Sequence, residues 1–244
     1  MKEKKRLDLL VQDKYPQFTR NQIQSWILQG KVLVDDKVIN KAGAPIWIES
    51  KVELTVDEPK FVSRAGFKLE KALDHFSVDV KDLIVLDAGI STGGFTDCLL
   101  QRGANKVYGI DVGYGQVHEK IINDDRLVLM EKTNLRKLEM LPDLVDLVTL
   151  DLSFISILKV MPAVVKLMQP NAKIITLIKP QFEAGKENVG KRGLVKDPKV
   201  HEAVIEKIKS GMQEFGFKMI DVIDSPILGA TSGNKEFLAL FERA

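Results

Sequence analysis

The stretch that decides the fold of most of the chain is Ile84-Val-Leu-Asp-Ala-Gly-Ile-Ser-Thr-Gly-Gly-Phe-Thr-Asp97. Its apolar beginning ends at Asp87, small residues follow, and a helical pattern starts near Phe95. Glycines let the backbone take positive φ angles and approach a ligand closely. In an open α/β sheet, ligands bind in the crevice beyond the carboxyl ends of the strands. The stretch therefore predicts a strand, a ligand-binding turn and a helix.

Strand and helix patterns alternate around this stretch, from residue 61 to the end of the chain. Such alternation is typical of a largely parallel sheet with crossover helices. Seven strands are predicted, over residues 84–87, 107–111, 127–130, 147–152, 173–178, 217–223 and 237–241. The main helices are predicted over residues 64–76, 95–102, 155–168 and 198–215. We therefore expect a doubly wound α/β domain over residues 59–244.

Residues 1–58 predict a smaller α+β domain. Thr19 is a suitable N-cap for one of its helices, and Gly30 is a suitable end for the same helix. Asp35-Asp36 suits the turn of a hairpin. The expected elements are a helix over 6–14, a helix over 20–28, a hairpin over 31–39, strands over 46–48 and 52–56, and a linker over 57–59.

The composition is typical of a soluble protein. The chain has 244 residues, which exceeds the usual size of one domain, so we expect two domains. No apolar run approaches the roughly 18–20 residues that span a bilayer, and the first residues lack the apolar core of a secretory signal. Cys98 is the only cysteine, which excludes an intramolecular disulfide and a thiolate metal cluster. A cytoplasmic protein is therefore expected. His75, His118 and His201 show no metal-ligand spacing, so we predict no metal.

Positive charge is concentrated in two segments, although the net charge is only +2. Residues 1–41 hold nine Lys or Arg against five acidic residues, and residues 186–199 hold five against two. Both segments can contact the phosphates of a nucleic acid. For either segment alone, a solvated surface is an equally good interpretation.

The arrangement of the glycines separates the classes of cofactor. A dinucleotide site would show Gly-x-Gly-x-x-Gly, and a P-loop would end in Gly-Lys-Ser/Thr. This chain has Gly89, Ser91 and Gly93-Gly94 instead, with Asp87 two positions before the first glycine. That pattern suits a ligand with a charged amino acid group and no phosphate, namely S-adenosylmethionine. We expect Asp87 to hold its ammonium group directly or through water.

Two later residues extend this candidate cofactor site. Asp111 lies 22 residues after Gly89 (111 − 89), at a strand end where an acid accepts hydrogen bonds from both ribose hydroxyls. Asn134 follows the third strand and is expected to meet the adenine edge. A tight turn or a helix cap is the alternative for any one residue, and Asp97 is interpreted as structural. The predicted cofactor contacts are Asp87, Gly89, Ser91, Thr92, Gly93, Gly94, Phe95, Asp111, Asn134 and Asp151.

Four charged residues are expected to meet at the same edge of the sheet. Asp151 and Lys179 end the fourth and fifth strands, and Glu236 opens the last one. The beginning of the last strand lies on this edge if that strand is antiparallel. Lys68 belongs to the helix before the first strand, which can fold over the edge. A surface salt-bridge cluster is the alternative interpretation.

Three motifs carry a resemblance to a known family: Asp87-x-Gly-x-Ser-Thr-Gly-Gly-Phe-Thr-Asp97, Asp151-Leu-Ser-Phe-Ile-Ser156 and Lys179-Pro-Gln-Phe-Glu183. Residues 60–242 resemble the FtsJ-type RNA ribose methyltransferases, which use a Lys-Asp-Lys-Glu tetrad. The whole chain is similar to the TlyA (hemolysin A) family of rRNA cytidine 2′-O-methyltransferases. The resemblance implies a Rossmann-like, seven-stranded, S-adenosylmethionine-dependent methyltransferase domain.

The first domain resembles the αL-type (S-four-like) RNA-binding module, through Arg6-Leu-Asp8, Thr19-Arg20 and Gly30-Lys-Val-Leu-Val-Asp35. The resemblance implies ribosomal RNA or ribosomal subunits as partners. It implies no membrane partner. Asp35 stands where this module often has Asn, which places a carboxylate near the presumed RNA face. The predicted RNA contacts are Arg6, Arg20, Gln24, Lys31, Arg64, Lys191 and Arg192.

The implied reaction is methyl transfer to a ribose 2′-hydroxyl of a cytidine. This hydroxyl is a poor nucleophile at neutral pH and needs a positioned base. A lysine amine accepts a proton only when it is neutral, which desolvation or a second cation favours. We predict Lys179 as the base, Asp151 as its main partner, and Lys68 and Glu236 as groups that orient the substrate.

Two further expectations concern loops. The basic loop over residues 183–197 is long enough to close over RNA, and Glu183 is expected to cap it. Ile90 is larger than the small residue expected at that position, which predicts slightly altered packing of the glycine loop.

Three other functions remain alternatives. A non-catalytic RNA-binding or ribosome-associated protein could keep the same fold, and it would differ by binding no cofactor. A membrane-active hemolysin would need an amphipathic or spanning segment, which the sequence lacks. A small-molecule methyltransferase would have no use for the basic first domain.

Overall fold

The structure, a computed structural model, describes residues 3–56, 59–229 and 233–244. The chain divides into two compact units, Met1–Pro59 and Lys60–Ala244. Two residues of the predicted linker, Asp57 and Glu58, lie outside the described residues. The first unit has one apolar core, and the second has one on each face of its large sheet.

The first unit combines two helices with short strands. Thr19 and Gln22 form a capping box at the start of the second helix, as predicted for the Thr19 cap. Asp35 and Asp36 both have positive φ angles, 48° and 62°, and they close the predicted hairpin. In order the elements are β1 (Lys4–Arg6), α1 (Leu7–Lys14), α2 (Arg20–Leu28), β2 (Val32–Val34), β3 (Lys37–Val38), β4 (Pro45–Trp47) and β5 (Val52–Leu54).

Strand β1 was not expected from the sequence, which predicted a helix from residue 6. It pairs antiparallel with β4, about forty residues away, with Lys5 opposite Ile46. Arg6 therefore ends a strand, and α1 begins at Leu7. The core of this unit is formed by apolar residues of both helices and of β2 and β5.

The second unit alternates strands and helices, as predicted. Short 3-10 turns lie at Leu135–Lys137, Ile157–Lys159, Lys186–Asn188 and Lys191–Gly193. The longer elements are α3 (Ala65–His75), β6 (Ile84–Ala88), α4 (Gly94–Gln101), β7 (Lys106–Ile110), α5 (Glu119–Ile122), β8 (Leu127–Met130), β9 (Val145–Leu150), α6 (Met161–Leu167), β10 (Met168–Ile178), α7 (Pro180–Glu183), α8 (Pro198–Gln213), β11 (Phe217–Asp224) and β12 (Phe237–Arg243).

The seven strands form one sheet in the order β11-β12-β10-β9-β6-β7-β8. Strand β12 is antiparallel to both of its neighbours, and the other pairs are parallel. Ile178 at the end of β10 lies opposite Phe237 at the start of β12. This confirms the predicted α/β sheet. It also places the beginning of β12 at the edge where the parallel strands end.

The helix predicted over residues 155–168 is wrong in part. A 3-10 turn over Ile157–Lys159 precedes α6, and Met168 already belongs to β10. Pro162 lies in the first turn of α6. Proline is accepted there but removes a hydrogen bond inside a helix, so a new helix starts at this point.

Candidate active site

The turn after β6 brings the backbone against the end of β9. Gly89 and Gly93 have φ angles of 86° and 92°, and Ser91 has a φ angle of 48°. A Cβ atom on Gly89 would lie 2.6 Å from the carbonyl oxygen of Asp151. Glycine is therefore required at position 89 both by its conformation and by this close approach.

Asp87 lies beneath this turn and is completely buried. Its Oδ2 accepts a hydrogen bond from Thr96 at 2.6 Å, and its Oδ1 accepts one from Thr149 at 2.9 Å. Burial raises the pKa of Asp87 to about 6. The expected direct contact with a ligand's ammonium group does not fit this position, because the carboxylate is enclosed and both oxygens have partners. Asp87 instead ties β6 to β9 and α4.

Asp111, at the end of β7, holds two loops together. Its Oδ2 accepts a hydrogen bond from Ser91 N at 2.9 Å, and its Oδ1 accepts one from Gly113 N at 2.7 Å. Asn134 caps the next 3-10 turn, because its Oδ1 accepts from Arg136 N at 3.1 Å. Both side chains also line a cavity.

This first cavity has a volume of about 500 Å³. Asp111, Asn134 and Gln116 supply polar groups to it, whereas much of its remaining wall is apolar. A smaller space of about 80 Å³, lined by Thr92, Gly94 and Phe95, lies beside Gly89 and Asp151. All the predicted cofactor contacts except Asp87 and Gly93 line one of these two spaces. The apolar wall is formed by Ile110, Val112, Leu135, Leu152, Ile155 and Val160.

The four predicted catalytic residues form two ion pairs. Lys179 Nζ lies 2.7 Å from Asp151 Oδ1 and donates a hydrogen bond to Ser153 Oγ at 3.0 Å. Lys68 Nζ donates to Glu236 Oε2 at 2.6 Å, and both of these side chains are more than nine-tenths buried. Removing paired charges from water is costly unless each is matched, and here two cations face two carboxylates.

Both ion pairs line a second cavity of about 490 Å³. This cavity and the first share Asp151, Ser153 and Phe154. Phe154 has a φ angle of 64° and leaves 91% of its surface exposed at this junction. Ser153 and Phe154 were not predicted as site residues, although the motif around Asp151 contains them. The second cavity therefore adjoins the first beside the Lys179–Asp151 pair.

Two of the predicted RNA contacts also line the second cavity, namely Arg64 and Arg192. The cavity lining does not include Lys191, which is exposed. The loop that carries Arg192 is fastened by Asn234. Its Oδ1 accepts from Val195 N at 2.8 Å, and its Nδ2 donates to Gly193 O at 2.8 Å. Asn234 and Glu236, two residues apart, thus connect the basic loop with the buried ion pair.

In the first unit, three predicted RNA contacts converge on Asp8, which is completely buried. Arg6 and Arg20 each donate to its carboxylate through Nε and Nη2, at 3.0–3.2 Å. Gln24 donates to the same group at 2.8 Å. These hydrogen bonds, from Arg6 above all, hold the pKa of Asp8 far below its usual range. Lys31 is exposed, and no described contact joins its ammonium group to this cluster.

Glu183 does not cap the loop that follows it, as had been expected. Its Oε1 accepts from Ile157 N at 2.7 Å, so it caps the earlier 3-10 turn over Ile157–Lys159. Burial raises the pKa of the Glu183 carboxyl group. The loop after it is anchored instead by Asn234.

Asp97 and Ile90 both lie in the packing around the glycine turn and helix α4. Asp97 is structural, because it accepts a hydrogen bond from Val62 N at 2.7 Å. Ile90 packs over Gly109, where a side chain of any kind would collide with it. Within the described ranges, no helix is long and apolar enough to cross a membrane, and no group of three or more potential ligands is placed to hold a metal ion.

Comparison with known proteins identifies the two units separately. Residues 61–243 match the FtsJ-like methyltransferase family, and residues 5–46 match the S4 domain. The chain is 41% identical to hemolysin A of Brachyspira hyodysenteriae, over 97% of this chain and 99% of that protein. It is also 41% identical to the 16S/23S rRNA (cytidine-2′-O)-methyltransferase TlyA of Mycobacterium tuberculosis, over 90% of this chain and 82% of that protein.

A solved structure from Streptococcus thermophilus, provisionally named a hemolysin, is similar over the full length of the chain. It is 38% identical, covers 100% of this chain and 90% of its own, and has a TM-score of 0.75. The chain therefore belongs to the FtsJ-like methyltransferase family and carries an S4 domain at its N-terminus.

Proposed function

We propose that this protein transfers a methyl group from S-adenosylmethionine to the 2′-hydroxyl of a cytidine in ribosomal RNA. The observation that carries the proposal is the meeting of two cavities at Asp151, one suited to a nucleoside and one lined by two lysine–carboxylate pairs. The 41% identity to an rRNA (cytidine-2′-O)-methyltransferase supports the choice of substrate.

The first cavity fits the cofactor in its chemistry. Asp111 offers a carboxylate to the ribose, Asn134 offers an amide to the adenine edge, and the apolar wall suits the purine ring. The turn of Gly89 and the residues of the small neighbouring space would hold the amino acid end. S-adenosylmethionine, when bound, supplies a methyl group on a sulfonium that is already an activated leaving group.

Lys179 is the proton acceptor in this proposal. Its side chain is only 12% exposed and lines the second cavity beside Asp151, which both cavities share, so a hydroxyl in the second cavity would face the first. Asp151 and Ser153 fix the position of Nζ. Alignment of the hydroxyl with the methyl group accounts for much of the remaining acceleration, since no further covalent step is required.

The Lys68–Glu236 pair orients the substrate. It is buried in the wall of the second cavity, so its geometry is fixed before RNA arrives. Such preorganised charges stabilise charge that develops in a transition state without reorganisation. Lys68 comes from α3 and Glu236 precedes β12, so the pair also fastens this helix to the sheet edge.

We assign RNA binding to residues 1–58 and catalysis to residues 59–244. The exposed edges of Arg6 and Arg20 would contact RNA phosphates. Arg64 and Arg192 would contact the part of the RNA that enters the second cavity. Arginine suits this role because its planar fork binds phosphate with two hydrogen bonds.

The proposal is tested with ribosomal subunits that lack the modification and S-adenosylmethionine labelled in its methyl group. We expect label in the RNA at a cytidine whose 3′ phosphodiester resists alkaline cleavage. Label on a base, with normal alkaline cleavage, would contradict ribose methylation. Tight RNA binding with no cofactor binding would favour a non-catalytic RNA-binding protein.

A further inference from the structure

The second cavity contains a buried acceptor that the proposed mechanism does not use. Among the described residues, Gln181 Oε1 is buried and has no hydrogen-bond partner. Gln181 lines the cavity together with Lys68, Lys179 and Glu236. A buried polar atom without a partner is unfavourable, so native proteins seldom keep one unless a ligand satisfies it.

The position of Gln181 in the chain fixes it relative to the reacting groups. It is the second residue of α7, which begins with Pro180 directly after Lys179. Proline restricts the backbone at the start of this short helix. The amide is therefore carried by the same turn that presents Lys179, and a nucleotide whose ribose meets Lys179 would place its base within this cavity.

The chemistry of the atom limits what can pair with it. An amide oxygen only accepts hydrogen bonds. Ser63 Oγ, a second buried atom of this cavity without a partner, is a hydroxyl that both donates and accepts, so it selects nothing by itself. Gln181 Oε1 requires a donor.

A nucleotide within an RNA strand has few donors to offer. Its phosphate and ester oxygens are acceptors, and its 2′-hydroxyl is the group that faces Lys179. The remaining donors are the N–H groups of the base. Cytosine presents an exocyclic amine where uracil presents a carbonyl oxygen. Uracil keeps a donor at N3, but at the place of the cytosine amine it presents the O4 carbonyl, which cannot donate to the amide oxygen.

We propose that Gln181 is a specificity-determining residue whose amide oxygen accepts a hydrogen bond from the exocyclic amine of the target base. It thereby favours cytidine over uridine. The inference rests on the proposed function and adds a residue and an atom for the recognition of the base. A site built to receive a hydrogen bond rejects an analogue without the donor more strongly than an apolar pocket does.

The test compares methyl transfer to ribosomal subunits that carry cytidine or uridine at the mapped target position. We expect kcat/KM of the wild-type protein to be at least about tenfold higher for cytidine. Gln181→Met keeps the length of the side chain and removes the acceptor, so its ratio should fall to between about one and three. In Gln181→Glu the new carboxylate can only accept hydrogen bonds, so the cytidine-to-uridine ratio of kcat/KM should equal or exceed that of the wild type. Its added charge near Lys179 affects both substrates, and the ratio cancels that effect.

Gln213→Met is the matched control, since Gln213 is exposed near the end of α8 and lines none of the cavities described above. The cofactor affinity and the melting temperature of each variant are measured as a check that it is folded. An unchanged ratio in Gln181→Met, or a wild-type protein that methylates both substrates equally, would overturn the inference. Absence of methyl transfer to the cytidine substrate by the wild type would instead overturn the proposed function.

Discussion

Asp8 in the first unit and Asp87 in the second are both completely buried, yet their environments act on them in opposite directions. Asp8 receives hydrogen bonds from two guanidinium groups and one amide, and its pKa is held far below the usual range. Asp87 receives hydrogen bonds from two threonine hydroxyls and from no cation, and burial raises its pKa to about 6. Hydrogen bonds from cations outweigh the effect of burial on Asp8, which lies just beneath its half-exposed arginines, whereas burial in the interior dominates for Asp87.

This difference separates a binding surface from a structural support. The side chains of Arg6 and Arg20 remain about half exposed, so Asp8 fixes two cations that still face solvent. Asp87 faces only the interior and fastens the glycine turn. The ion pairs of the candidate active site are intermediate, because the buried Glu236 and the partly buried Asp151 each have one lysine.

The largest expected effect concerns the Lys68–Glu236 pair. Glu236→Leu leaves Lys68 buried without a partner, so we expect the free energy of unfolding to fall by about 3–5 kcal/mol. The double variant Lys68→Met/Glu236→Leu should recover most of this loss and remain inactive in methyl transfer. Urea unfolding and the methyl-transfer assay check the two results separately. A double variant as unstable as the single one would show that the matching of charge is unimportant here.

The next largest expected effect is the pH dependence of the free energy of unfolding that Asp87 causes. The folded protein keeps this proton up to about pH 6, whereas an unfolded chain releases it near pH 4. The folded state binds more protons between these values, so the contribution of Asp87 to stability falls as the pH rises from about 4 to 6 and is constant above. The total change is on the order of 3 kcal/mol.

Asp87→Asn should lack this pH dependence. Urea midpoints of the wild type and of the variant, measured between pH 4 and pH 7, give the difference directly, because other titrations cancel. A constant difference across this range would show that Asp87 is charged in the folded protein throughout.

Asp8 should show the opposite sign. Its lowered pKa contributes stability above about pH 4, and this contribution is lost as the pH falls further. Asp8→Asn removes charge-assisted hydrogen bonds from two arginines, so we expect a loss of about 1.5–3 kcal/mol at pH 7. RNA affinity should also fall, because the guanidinium groups are no longer fixed. Asp8→Asn should add little to this fall in an Arg6→Ala/Arg20→Ala background, where both anchored cations are already absent; full additivity would contradict the coupling.

The smallest effect separates a fixed cation from a free one. Arg20→Ala should weaken RNA binding by about five- to tenfold, and Lys31→Ala by about two- to threefold, since a flexible exposed cation gains less. Filter binding at several salt concentrations measures both losses. Equal losses would mean that anchoring by Asp8 adds nothing to RNA binding.

Features set by neighbouring residues could be predicted from the sequence. The Thr19 cap, the turn at Asp35-Asp36 and the position of Asp111 and Asp151 directly after strands β7 and β9 all follow from local patterns. The antiparallel direction of β12 does not follow from its local pattern, and that direction brings Glu236 to the lysines.

The features that were not predicted depend on distant partners. Strand β1 needs β4, and the cluster on Asp8 joins residues up to 16 positions apart. The enclosure of Asp87 depends on Thr149, 62 residues later. The motif that begins at Asp87 predicts an acidic residue at this position. It does not predict whether the carboxylate faces a ligand or a threonine. The unpaired oxygen of Gln181 becomes visible only when all its neighbours are placed.

The most direct test of the central claim is single-turnover methyl transfer by Lys179→Met, with cofactor and ribosomal subunits at saturating concentrations. Methionine keeps the length of the side chain and cannot accept the proton. We expect both ligands to bind with near wild-type affinity while the rate falls by about 10²–10⁴-fold. A rate close to that of the wild type would show that Lys179 is not the base and that the junction of the two cavities works in another way.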